Sequence, residues 1–157
     1  MSKQKGQPKW AKEPSADRQP RIKESPESAD RQTVAWQFHR RDQEHPLWGW
    51  GKLGADGFLA LLDRYFCHLE SMTWGEVQAA AGGRREGNNN HFVPVAKMPK
   101  EAQTRLVELR LDDIDDLFSM RLENALRLYG IRDGRVLRLV WHDPHHGTDR
   151  GASPVQR

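Results

Sequence analysis

In the C-terminal third of the chain, large apolar residues recur at every second position in three short segments. These are Phe118, Met120 and Leu122, then Leu126 and Leu128, then Leu137, Leu139 and Trp141. A period of two sends alternate side chains to opposite faces, which is the pattern of half-buried strands. The connectors are Glu123, Asn124, Ala125 and then Asp133, Gly134, the second a strong two-residue hairpin signal. Connectors this short join antiparallel neighbours, so the run predicts a three-stranded meander around which the rest of the chain must pack.

Upstream, Val34, Trp36 and Phe38 alternate with Ala35, Gln37 and His39 as a further strand. Residues 43–57, with Pro46, Trp48, Trp50 and four glycines, read either as a short strand or as an irregular loop. Phe58, Leu61, Leu62, Tyr65 and Leu69 recur at helical spacing, predicting an amphipathic helix over 56–70 with Cys67 on its opposite side. Thr73, Trp74, Gly75, Glu76 match a capping box and open a short helix that ends at Gly82 and Gly83. Residues 82–91 carry loop composition, and a helix over 99–110 starts at Pro99 with Ala102, Leu106 and Leu109 on one face. The order strand, helices, meander predicts an α+β fold: a small antiparallel sheet with helices packed on one face.

Composition sets the limits of that domain. Of 157 residues 36% are hydrophobic and 30% charged, which is polar for a globule, and the polarity is concentrated at the N-terminus. Residues 1–33 hold eight Lys or Arg against five Asp or Glu, with Trp10 and Ile22 as the large apolar groups beyond Met1, so a disordered basic tail is expected there. The remainder is formally neutral, and the net charge of +3 belongs to the tail. A single domain over 34–147 and a frayed end over 148–157 complete the predicted organisation. No run approaches the roughly 18 apolar residues of a membrane span, and the first thirty residues lack the apolar centre of a signal peptide. The lone Cys67 excludes an intramolecular disulfide and a thiolate zinc cluster, so the cytoplasm is the expected location.

If the apolar members of each meander strand face the helices, the intervening residues face away. That predicts an open face carrying Ser119, Arg121, Arg127, Tyr129, Arg138 and His142, with His145 and His146 at the strand end. Arginines there would hold a phosphodiester and offset its transition-state charge, and a histidine would protonate a leaving oxygen. A wet sheet face also carries arginines for solubility alone, so geometry decides between the two. His142, Asp143, His145 and His146 are metal-type side chains, but without a helical i, i+4 pair or a cysteine partner they read as a hydrated His-rich end. No cofactor and no metal are expected, and the sequence has no glycine-rich phosphate loop and no nucleophile elbow.

The run FSMRLENALRLYGIRDGRVLRLVWHDPHH, from Phe118 to His146, resembles the closing meander of the RelE/YoeB/ParE toxin superfamily. The order of an early strand, two helical segments and three strands is similar to that fold as well. The resemblance implies a toxin of a toxin–antitoxin system that cuts messenger RNA without a metal, driving the 2'-hydroxyl onto the adjacent phosphate. It implies Arg127 as the phosphate-binding arginine and His145 or His146 as the terminal catalytic histidine, with the acidic turn around Asp113 and Asp116 loosely placed for a base. Arg121, Tyr129, Arg138 and His142 would contact substrate. The implied partners are RNA or ribosome-bound mRNA and an antitoxin protein. The chain departs from the family in being neutral over its domain rather than basic. It is also similar to uncharacterised bacterial proteins that share Arg-x-Tyr/Trp-Gly followed by Trp-x-Asp-Pro-x-His.

Two functions therefore stand at this level: an endoribonuclease, or a noncatalytic protein- or nucleic-acid-binding module of the same fold. The acidic stretch 112–116 separates them, because folding it over the arginine face would favour binding.

Overall fold

A computed structural model describes residues 26–80, 90–148 and 153–155, with side chains from Ser28 onward. Most of the expected tail and residues 82–89 of the expected loop lie outside the described residues, while His91, expected in that loop, opens a strand instead. Five strands form one sheet in the order β1-β5-β4-β3-β2, with β1 (Ala35–Gln37), β2 (His91–Pro94), β3 (Asp116–Arg121), β4 (Arg127–Asp133) and β5 (Val136–Asp143). The meander β3-β4-β5 is antiparallel as the alternation requires. Strand β1 joins the β5 edge in parallel, and β2, which has no apolar alternation to announce it, pairs antiparallel with β3. The fold is α+β.

The helices are α1 (Pro26–Asp30), α2 (Gly54–Leu61), α3 (Cys67–Leu69), α4 (Trp74–Ala79) and α5 (Lys100–Glu108), with a π turn over Leu62–Phe66 joining α2 to α3. The capping box forms: Glu76 N–H donates to Thr73 Oγ1 at 3.3 Å while Thr73 N–H donates to Glu76 Oε2 at 2.7 Å. Helix α5 is followed by Arg110 at φ 56°, which turns the chain back over the sheet.

The expectation of helices on one face is corrected, because both faces are covered. On one side Trp50, Leu61, Phe66, Trp74 and Val77 pack on Phe118, Met120, Leu128, Leu137 and Leu139. On the other, Met98, Ala102, Leu106 and Leu111 pack on Leu117, Tyr129, Val140 and Trp141. Two buried faces explain why both sets of alternating residues in β4 and β5 are apolar near the strand middle.

A β-bulge makes the second face possible. Tyr129 pairs with Trp141 but Gly130 pairs with Leu139, so Val140 is an extra residue on β5. Beyond it the parity inverts: Trp141 joins the face of Tyr129, and His142 turns to the opposite side against Trp50, with ring centroids 5.4 Å apart. The Val140 carbonyl accepts from Asp42 N–H at 2.9 Å and Trp50 Nε1–H at 3.2 Å, so the chain after β1 is stitched to the bulge. Gly130 is required at this crossing, since a Cβ there would lie 2.6 Å from the Arg138 carbonyl oxygen.

The packed unit also extends past both expected boundaries. Ala29 is buried, and Asp30 accepts from Arg132 at 2.6 Å, so packing begins upstream of residue 34. Arg132 in turn lies 4.2 Å over the Trp74 ring. At the other end Ser153 and Pro154 are buried and Val155 packs on the second core, so these residues are not frayed. Among the described residues no helix is long and apolar enough to cross a membrane.

Candidate functional site

The predicted site residues separate into three places. Arg121, Arg127 and Tyr129 share the face of the second core near the turn between β3 and β4, and Arg127 pairs with Asp143 across β4 and β5. His145 and His146 follow at the same end. Arg138 lies at the far end of the sheet beside Ile131 and forms an ion pair with Asp133. His142 is on the opposite face, where burial lowers its pKa against the raising effect of Asp143. The expected common open face is thus corrected: the bulge removes His142 from it, and α5 with the following loop covers its centre.

Where the groups do converge, they are consumed by structure. Arg127 is 8% exposed, and its Nη1 donates to the carbonyls of Glu123 at 2.7 Å, Leu126 at 3.0 Å and Asn124 at 3.2 Å, closing the turn that carries it. Tyr129 is 0% exposed; burial and the charge of Asp143 push its hydroxyl pKa well up, so it stays protonated. Its oxygen lies 3.1 Å from His146 Nδ1, which is 3.0 Å from Ser153 Oγ. Ser153 donates its hydroxyl to Asp143 Oδ2, and His145 N–H donates to Asp143 Oδ1 at 3.0 Å.

This proton order decides the chemistry. A serine made nucleophilic by a histidine gives its proton to the imidazole, which a carboxylate orients. Here Ser153 gives its proton to Asp143, so its bond with His146 requires the proton on Nδ1. Asp143 Oδ2 is 3.8 Å from His146 Nδ1, beyond hydrogen-bond reach. The four groups form a latch that ties residues 153–155 to the sheet end. The metal reading of the histidines is not assembled either: among the described residues no group of three or more His, Cys, Asp or Glu is placed to hold an ion.

A second polar centre has no strong sequence signal. Asp42 is fully buried at its side chain and accepts from Arg105, Trp141 Nε1–H at 3.0 Å, and the backbone N–H groups of Glu44 at 3.0 Å and His45 at 3.2 Å. Burial alone would raise its pKa, but these bonds, led by that from Arg105, hold the carboxyl down at about 2. His45 stacks on Trp48 with ring centroids 3.9 Å apart, accepts from Leu47 and Trp48 N–H at Nδ1, and directs Nε2 to Glu101 at 3.2 Å. The residues concerned come from separated segments, and Asp42 lies just before the 43–57 stretch, which reads as either strand or loop, so only tertiary structure brings them together.

The acidic stretch folds over the sheet as well. Leu111 and Ile114 insert into the second core, carrying Asp112, Asp113 and Asp115 across the face expected to be open. No family model, curated protein or solved structure matches the chain.

Proposed function

We propose that this protein is a noncatalytic RNA-binding module. The observation that carries the reading is the closure of the sheet end. Arg127 is 8% exposed with its Nη1 turned to three turn carbonyls, Tyr129 is sealed in the second core, and the hydroxyl of Ser153 is directed to Asp143 rather than to His146. A reacting centre needs its donors aimed at the substrate oxygens, not at its own backbone. Arg40, Arg41 and Arg135 remain at the surface, where the guanidinium fork suits phosphate contacts that position RNA without attacking it. The convergence of Arg127, Tyr129 and His146 at one sheet end favours a second reading, that of a RelE-like endoribonuclease restrained by an antitoxin.

Stability measurements separate the two. A structural latch predicts that Arg127→Ala and His146→Ala each lower unfolding free energy by about 1 to 3 kcal/mol, the cost of leaving buried polar partners unsatisfied. Unchanged urea midpoints for both variants would remove the basis of the noncatalytic reading, since groups reserved for catalysis contribute little to folding.

A further inference from the structure

We infer that the cleft between the end of β1 and the start of α2 holds an unstacked base of single-stranded RNA, an assignment that rests on the RNA-binding reading above and names its site. The cleft encloses about 390 Å³ and is walled by Phe38, Trp50 and Phe58, with Arg41, Gln43 and Gly54 completing it. That volume falls within the range of small-molecule sites.

The walls are built to stay in place. Trp50 is anchored through Nε1 to the carbonyl of the bulged Val140 and backed by His142 on the sheet. Phe38 meets Phe58 at 5.4 Å and 78°, and Trp50 at 6.1 Å and 87°, so the three rings brace one another edge to face. Gly54, exposed and at φ 66°, leaves the rim of the cleft open, since an added Cβ would find nothing within 4 Å.

Charge and hydrogen bonding select the ligand. Arg41 is the charged side chain among the lining residues, and Arg40 and Lys52 stand exposed next to lining residues in the chain. The adjacent Asp42 and Glu44 both pair with Arg105, and Arg41 keeps its remaining guanidinium donors beyond one Nη1 bond to the Phe38 carbonyl at 3.0 Å. Exposed Gln43 offers an amide donor and acceptor, the complement of a base edge. The half-buried rings of Phe38 and Phe58 for a base face, an amide for its edge and guanidinium groups for the phosphate are the parts of a single-strand site, with buried Trp50 backing the rings.

The test is equilibrium binding of a fluorescein-labelled octauridylate and, separately, of uridine monophosphate to the full chain at low salt. The variants are Arg41→Ala, Gln43→Ala and Phe58→Leu, with Arg64→Ala as a surface arginine that does not line the cleft. Arg41 and Gln43 are exposed, so two of the variants do not depend on core packing. The account expects the octamer to bind at least about tenfold tighter than the mononucleotide. It also expects each cleft variant to weaken it about fivefold or more, with Arg64→Ala within about twofold of wild type. Equal binding of the octamer by wild type and all cleft variants would overturn the site while leaving RNA binding intact. Failure of wild type to bind the octamer would overturn the RNA-binding reading itself. Tighter binding of the mononucleotide than of the octamer would replace RNA by a free nucleotide as ligand and overturn the assignment.

Discussion

Arg105 closes on Asp42 through two hydrogen bonds, Nε to Oδ2 at 2.8 Å and Nη2 to Oδ1 at 2.7 Å. The pair joins α5 to the loop after β1, and Trp141 Nε1 extends it to β5. It therefore fixes the helix that covers the second sheet face. Removing Arg105 would strand a buried carboxylate, so Arg105→Ala should cost about 3 to 5 kcal/mol in urea unfolding. A double-mutant cycle with Asp42→Asn should show the two losses to be far from additive.

The same carboxylate sets an acid limit. With the folded pKa of Asp42 at about 2, below its unfolded value of 3.8, the unfolded chain takes up the proton first as pH falls. The contribution, about 2 kcal/mol, is present in full above the unfolded pKa and disappears as pH falls through about 2. Asp42→Asn should flatten the acid limb of a stability profile between about pH 5 and 2. A limb of unchanged slope would place the titration elsewhere.

His142 acts in the opposite range. Its lowered pKa means that the fold prefers the neutral imidazole, so its stabilisation is present above the ordinary histidine pKa and is lost as pH falls from there through the lowered folded pKa. Replacing it by glutamine should reduce the drop in urea midpoint between about pH 7.5 and 5.5. A drop as large as in wild type would contradict burial of His142 against Trp50.

The bulge at Val140 predicts a pair of core effects. Trp141→Ala should cost about 3 to 5 kcal/mol, the range for a buried aromatic. Gly130→Ala should cost about 1 to 3 kcal/mol or more, because the added methyl meets the Arg138 carbonyl at 2.6 Å, where nothing flexible can yield. If Gly130→Ala left the melting temperature unchanged, the close crossing of β4 and β5 would be wrong.

The meander, the capping box at Thr73, the strand at 35–37 and the α+β class follow from local pattern, because each is written in residues close together in sequence. The hairpin turn was legible to within one residue: Gly134, at φ 59°, sits in the loop, but Asp133 still pairs with Val136, so the loop is Gly134 and Arg135. Sidedness was not legible. One extra residue, Val140, reverses every side chain beyond it, so Trp141 belongs with Tyr129 rather than with Leu137 and Leu139. For the same reason Trp141 lies in the second core, apart from Trp36 and Trp74 in the first. Asp42 and Arg105 are 63 residues apart and carry no shared spacing, so their pairing, which helps close the face and bears on the functional reading, was hidden.

The most direct test of binding without cleavage uses one sample for both properties. A 5'-labelled single-stranded RNA is incubated with the full chain, alone and with translating ribosomes, and retention and RNA length are read together. The account predicts RNA retained at full length in both settings. Shortened products ending in 2',3'-cyclic phosphate, lost in a folded His146→Ala variant, would contradict it.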